Sequence, residues 1–462
     1  MTRETLKRVE GSKADLGHDG AMSLGLESLE KAEAEVVQLC RELIEIDTTN
    51  DGSRDTVGEA LAAEFVEARL REVGYAPERF ATDDSHRQGV YLRIPGADRE
   101  RGALLLHGHL DVVPAIQSDW SVPAFGAEVI DDMIWGRGAV DMKDMDAMIL
   151  SVVRHWAREG ITPPRDIVVL FLPDEEAGGH HGAHWLVEHR PEFFEGVTEA
   201  VGEVGGFSLT VRDDLRLYLI QTAEKGIAWM RLRARGTAGH GSVINHDNAV
   251  TTLASAVARV GAYDWPIVLR PSVRELLAQV AEATGINFDP NDRDEVMRII
   301  GPVARFVGAT MSNTANPTML EAGYKTNVIP GEAYAHVDGR FLPGEEEAFF
   351  TTFDELIGSD VVREFVNHDI AMETSFDGPT IDAMAAALRA EDPFAKPVPY
   401  MLSGGPDAKS FATLGIRCYG FAPLLLPPEL DFGAMFHGVD ERVPVSSLRF
   451  GVRVLNRFLL AS

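Results

Sequence analysis

The segment ALLLHGHLDVVP, residues 103–114, decides the fold of this chain. Its first four residues, Ala103 to Leu106, are apolar without alternation and stop at a His-Gly-His-Leu-Asp turn. That is the pattern of a strand buried on both faces and ending in a polar loop. Two further runs repeat it, IVVLFLPDEEAGG (167–179) and the shorter EAVGEVGG (199–206). In open α/β sheets ligands bind beyond the carboxyl ends of the strands. The spacing therefore predicts an α/β fold with His109, Asp111, Glu175, Glu176 and Glu203 gathered along one edge.

Two more segments carry matching chemistry: Asp141 in WGRGAVDMK (135–143), after glycines that let the chain turn sharply, and His437 in FHGVDERVP (436–444). Two imidazoles and several carboxylates form the ligand set that holds a pair of divalent first-row ions for hydrolysis. His109 and Asp111 stand two residues apart on one side of a strand end. The natural division puts His109 on a metal and lets Asp111 orient its imidazole; Asp111 as a direct ligand is the alternative. Adjacent Glu175 and Glu176 need different tasks, because neighbouring side chains diverge and like charges beside one cation shift each other's titration.

In type, order and separation these motifs resemble the M20 family of metallopeptidases, from about Leu29 to the C-terminus. The resemblance implies a mixed-sheet zinc-peptidase catalytic domain (29–220 and 379–462) with an inserted α/β sandwich (221–378) serving as lid and dimerisation surface. It further implies two metal ions per chain, zinc or else cobalt or manganese, with Asp141 bridging them. Glu176 is then a ligand, Glu175 the general base, and His437 the ligand that caps the second metal. Glu203 completes the shell of one metal or the other. Glu rather than Asp at position 203 is the choice of the desuccinylase, aminoacylase and carboxypeptidase S branches. Asp144 stands where the family motif usually has Gly, a change expected to alter only local surface charge.

The run GTAGHGSVINHDNAV (236–250) matches the family's lid motif, which implies that His240 polarises the scissile carbonyl of the partner's site in a homodimer. A structural His in a lid turn is the alternative. Asn327 and Arg340 match the positions that hold the substrate's free carboxylate, a role suited to a guanidinium fork; a strand-edge ion pair is the other reading of Arg340. SGGPDAKSF (403–411) resembles the Gly-rich substrate loop, with Gly404 and Gly405 offering backbone contacts.

The chain has 462 residues, 45% of them hydrophobic, the composition of a globular protein large enough for two domains. With 43 Lys and Arg against 72 Asp and Glu, the net charge of −29 argues against a nucleic-acid partner. Neither a P-loop nor a strand-linked G-x-G-x-x-G occurs, which removes nucleotide-dependent chemistry. Two isolated cysteines, Cys40 and Cys418, and the lack of any 18-residue apolar run point to a cytoplasmic protein without a membrane segment, led by a mobile arm over 1–28. His180, His181, His184 and His189 read as solvated or packing residues, and His107 as a satisfied core residue.

Helical periodicity runs from Leu29 to Val73 and from Met145 to Arg158, and an acidic helical stretch, Arg274 to Val307, lengthens the insertion. The expected activity is co-catalytic dinuclear metal hydrolysis of an amide or peptide bond next to a free α-carboxylate. The substrate is then an N-acyl amino acid or a short peptide. A biosynthetic desuccinylase or deacetylase is the alternative within the class, and an inactive metal-binding module the alternative outside it.

Overall fold

The computed structural model describes residues 18–462 apart from 54–55, 301–303 and 406. Of the arm expected over 1–28, residues 1–17 lie outside the described residues, and the helix His18–Ile44 begins within the remainder. Strands Ile167–Leu172, Ala103–His109, Val197–Gly202 and Arg417–Gly420 lie side by side and parallel at the centre of a ten-stranded mixed sheet. The first two are buried at every residue. A strand covered on both faces must be apolar on both, which is why these segments do not alternate.

One face is covered by the helices His18–Ile44, Lys143–Glu159 and Val445–Ala461, whose Val36, Leu43, Val152, Trp156, Leu448 and Leu455 are fully buried in one core. Helix Lys143–Glu159 ends at Gly160, whose φ of +64° and N–H bond to the Trp156 carbonyl close the last turn. The opposite face is filled by Leu105, Leu170, Leu186, Phe193 and Phe411.

A second sheet of four antiparallel strands has the order Thr314–Ala322, Glu332–Phe341, Gly226–Arg235, Val361–Asp369. Strand Glu332–Phe341 alternates half-buried and buried along its length, the period of a sheet with one face packed. Helices Ala249–Ala262 and Glu346–Ile357 cover that face through Leu253, Ala256, Phe349 and Phe353. Helices Pro271–Thr284 and Arg293–Ile299, within the stretch 221–378, bury Leu276, Leu277, Val280 and Val296 in the core of the large sheet.

The chain therefore passes between the two bodies four times, near 225, 262–271, 311–314 and 370. The passages are laced together. Lys225 Nζ donates to the carbonyls of Ala309 and Ser312 at 2.9 Å and to Thr314 Oγ1 at 3.1 Å. Val268 N–H bonds the Met311 carbonyl at 2.8 Å, Ser272 Oγ donates to Glu373 Oε1 at 2.9 Å, and Met372 pairs with Glu224. Among the described residues no helix is long and apolar enough to cross a membrane.

Candidate metal centre

The three adjacent parallel strands end at the same edge, so His109, the turn Asp174–Glu176 and Glu203 arrive together. Asp141 and His437 come by another route. A small three-stranded sheet pairs Met133–Trp135 with Arg442–Pro444, binding the turn before Asp141 to the loop after His437.

His109 Nδ1 lies 2.9 Å from the Asp111 carbonyl, which fixes a proton there and turns Nε2 toward the carboxylates. That nitrogen faces Asp141 Oδ1 at 3.1 Å, Glu203 Oε2 at 3.5 Å and Glu175 Oε2 at 3.9 Å. His437 Nε2 lies 3.0 Å from Glu176 Oε2 and 3.3 Å from Asp141 Oδ2. The two oxygens of Asp141 thus point to the two imidazoles. Carboxylates gathered on imidazole nitrogens inside a buried site require positive charge between them, a proton or a metal ion.

The titration of the groups has the same cause. Burial, then repulsion by Glu203, drives Glu175 well above the carboxylate range, and burial with the Asp141 charge lifts Glu176 to about 7. Hydrogen bonds to Asp141 and Glu176 raise His437 to about 10. Burial opposes ionisation of Asp141, but hydrogen bonds from His109 and His437 outweigh it and hold the carboxyl below its ordinary value. Four carboxylates, Asp141, Glu175, Glu176 and Glu203, carry more negative charge than two imidazoles offset even when both are protonated. Two dications would balance them, so the donor set fits a metal pair. The sets His109, Asp141, Glu176 and His109, Glu175, Glu203 each bring three ligand atoms within 4.8 Å of one another.

Asp111 is placed differently from the simplest expectation. Its carbonyl, not its carboxylate, takes the His109 proton; Oδ1 stands 3.6 Å from that nitrogen. The carboxylate instead accepts from the backbone N–H groups of Glu175 (3.2 Å) and Glu176 (3.0 Å) and from Asn50 Nδ2 (2.8 Å). Asn50 Oδ1 in turn accepts from Arg87 Nη2 at 2.7 Å, and Arg87 also meets Asp174 at 3.4 Å. Sequence reasoning missed Asn50 and Arg87, which no motif marks.

The carboxylates open onto a cleft of about 290 Å³ with an apolar side formed by Val204, Tyr400, Leu402 and Phe436, and with Gly404 and Gly405 in its wall. A Cβ on Gly405 would stand 2.2 Å from Ile227 Cδ1 and 2.9 Å from Lys409 Nζ, so a larger residue there would have to turn these side chains aside. Val204, with φ of +54°, holds a left-handed conformation that β-branched residues avoid.

His240 and Asn327 are not brought to this cleft within one chain, and Arg340 reaches only its rim, at Ser403. His240 and Asn327 are exposed on a short two-stranded ribbon, where Val328 pairs with His240. Ser242 donates to His240 Nδ1 from its N–H at 3.2 Å and its hydroxyl lies 2.8 Å away, which assigns the ring proton to Nε2. The Arg340 fork is engaged by Asp338 at 2.7 and 3.2 Å, with its other arm 3.5 Å from the Ser403 carbonyl.

Two smaller expectations are corrected. Asp144 is buried, not on the surface, in the first turn of helix Lys143–Glu159. His107 lies in the core against Phe411, but among the described residues its Nε2 has no hydrogen-bond partner, and burial lowers it to about 3. His184 stands 3.5 Å from Asp369, and His181 lies 2.8 Å from Asp83. Cys40 and Cys418 are free and buried.

A family model for peptidase family M20/M25/M40 matches residues 105–461, the stretch that carries every ligand candidate. The chain belongs to this family. It is a hydrolase of amide or peptide bonds. Aminoacylase-1 of Sus scrofa is 28% identical over 418 residues, 87% of this chain and 89% of the relative. The N-fatty-acyl-amino acid synthase/hydrolase PM20D1 of Xenopus tropicalis is 26% identical over 389 residues, 78% and 73% of the two chains. The M20 family metallo-carboxypeptidase Sso-CP2 from Sulfolobus solfataricus superposes with a TM-score of 0.69 at 17% identity, covering 92% of this chain and 99% of that one, a likeness of fold alone.

Proposed function

We propose that this M20 hydrolase is a dinuclear metal amidohydrolase acting on an N-acyl amino acid or short peptide with a free α-carboxylate. The reading is carried by Asp141, whose two oxygens face two different imidazoles at 3.1 and 3.3 Å. His109 and Glu203 would hold one ion, His437 and Glu176 the other, with Asp141 shared. Bound there, zinc, or else cobalt or manganese, would supply Lewis-acid polarisation and neutralise the carboxylates.

The remaining work falls to side chains. Glu175 lies in the cleft with its carboxylate 3.9 Å from His109 Nε2. It takes the proton of the attacking water and returns it to the departing amide nitrogen, a transfer favoured by a carboxyl that burial holds above its ordinary range. The N–H groups of Glu175 and Glu176, held by Asp111, keep the two carboxylates apart in their separate tasks. The proton on His240 Nε2 suits a donor to a developing oxyanion. Because His240 and Asn327 stand outside their own chain's cleft, we assign them to the site of a second copy in a homodimer, with 221–378 as lid and dimerisation unit. Arg340 receives the substrate carboxylate when it exchanges Asp338 for it.

The apolar side of the cleft suits an apolar acyl group or side chain. Among the described residues no Lys or Arg lines it, which ranks a neutral acyl group ahead of the second carboxylate of a succinyl substrate. A cytoplasmic location fits the two free cysteines. Metal analysis followed by a panel of N-acyl amino acids and dipeptides tests the reading. Two ions per chain are expected, with hydrolysis abolished by chelation and restored by metal; full activity in metal-free protein would refute it.

A further inference from the structure

Glu441 stands four residues beyond His437, is fully buried, and has no part in the chemistry described above. Each of its oxygens takes two donors. Oε1 accepts from the N–H groups of Val140 at 2.6 Å and Asp141 at 3.1 Å. Oε2 accepts from Arg137 Nη1 at 2.8 Å and from the N–H of Gly138 at 3.0 Å. All four donors belong to the turn that delivers Asp141. The lacing continues on both sides: the Glu441 carbonyl accepts from Gly136 N–H at 2.9 Å, and Arg137 Nη2 donates to the carbonyl of Gly438, the residue after His437, at 2.9 Å.

We infer that Glu441 is a positioning residue: its carboxylate fixes the Asp141 turn against the His437 loop and so sets the span between the two metal ligands that these segments carry. The inference rests on the dinuclear reading. Three features favour it over a general structural role. The turn presents four donors and no acceptor, a demand that the two oxygens of a carboxylate match and an amide does not. One of the four donors is the backbone N–H of Asp141 itself, so the clamp acts at the bridging residue. The two clamped segments are about 300 residues apart in sequence and, among the described residues, meet at the metal centre through Asp141 Oδ2 and His437 Nε2 at 3.3 Å.

Glutamine at 441 would turn an N–H₂ toward two N–H donors, and aspartate would be one methylene too short to reach both pairs. The test uses the full chain as wild type, Glu441→Gln and Arg137→Lys, each stripped with a chelator and titrated with cobalt(II) alone. Three quantities are read: affinity and stoichiometry by competition with a chromophoric chelator, the visible absorption of the bound ion at saturation, and the melting temperature of the metal-free chain. Wild type is expected to take two equivalents. Glu441→Gln should bind roughly 10- to 100-fold more weakly, with a changed cobalt spectrum at saturation. Arg137→Lys, which keeps the charge but cannot span Glu441 and Gly438 as a fork, should shift both readings less and in the same direction.

A Glu441→Gln protein that binds both ions with wild-type affinity and spectrum overturns the inference. So does one whose affinity falls only in step with its metal-free melting temperature while the saturated spectrum is unchanged, since that is the mark of a merely structural role. If Glu441→Gln does not fold, Arg137→Lys decides by the same criteria. Wild type that takes no cobalt would instead overturn the dinuclear reading and the inference with it, a result distinct from the others.

Discussion

Replacing Asn50 by alanine removes the centre of the network that holds the Glu175–Glu176 turn. Asn50 is 2% exposed and its carboxamide makes four bonds: to Asp111 at 2.8 Å, to Asp174 at 3.2 Å, from Arg87 at 2.7 Å and from Gly52 N–H at 3.0 Å. Three of the partners are ionised, and hydrogen bonds to charged groups contribute about 1.5–3 kcal/mol each. Their sum, roughly 5–9 kcal/mol, is an upper bound. Arg87 keeps Glu59 and Asp174, and water entering the vacated space restores part of the rest. A net loss of about 3 kcal/mol is expected, a factor of about 150 in the folding equilibrium. Urea unfolding of the metal-loaded chain, followed by circular dichroism, measures it as a lower midpoint at unchanged slope. Because Asp111 then holds the Glu175 and Glu176 N–H groups less firmly, kcat should fall by about 10- to 100-fold as well. A variant within about 1 kcal/mol of wild type with unaltered kcat would show that the network does not support the turn.

Glu175→Gln should retain both metals yet lose roughly 10² to 10⁴ in kcat, whereas Glu176→Gln should also lose metal; near-normal turnover by the first would remove the proton-transfer role. Arg340→Ala should raise KM for N-acyl amino acids by about tenfold or more without changing metal content. Substrates amidated at the α-carboxyl should already be poor for wild type, and equal turnover of acids and amides would dismiss Arg340. His240→Ala and Glu175→Gln homodimers should each be nearly inactive. Re-paired at random they should recover about a quarter of wild-type activity, since half the dimers are mixed and one site in each is intact. Verified mixed dimers as inactive as their parents would exclude His240 from acting across an interface.

Three central strands of the large sheet could be read from the sequence because strands buried on both faces leave apolar runs with no competing pattern, as in Ile167–Leu172. The ligand candidates were legible for a related reason: all but His437 follow such a run or a Gly-rich turn. Asn50 and Arg87 were not, since a buried Asn–Arg pair leaves no periodic trace, and Asn50 meets Arg87, Asp111 and Asp174 at separations of 37, 61 and 124 residues. Glu441 lies inside a motif that was read for its histidine, and only the four donors around it separate it from a surface Glu. The stretch Arg274 to Val307 was read as helical and as lengthening the insertion, but that reading did not show that Leu276, Leu277 and Val280 pack in the core of the large sheet, because a helical pattern does not name its partner. The Asp144 expectation failed because charge was taken to mean exposure.

The four passages between the sheets have a mechanical consequence. A lid joined by two loose strands is free to slide as well as swing. Here Lys225, the Val268–Met311 bond and the Ser272–Glu373 bond draw every passage into one knot. Any shift of the second sheet against the first therefore has to bend four chain passages together, and the Lys225 bonds to the Ala309 and Ser312 carbonyls tie two of those passages at one point. The position of Arg340 over Ser403 is in this way set by the whole connection and not by a single linker.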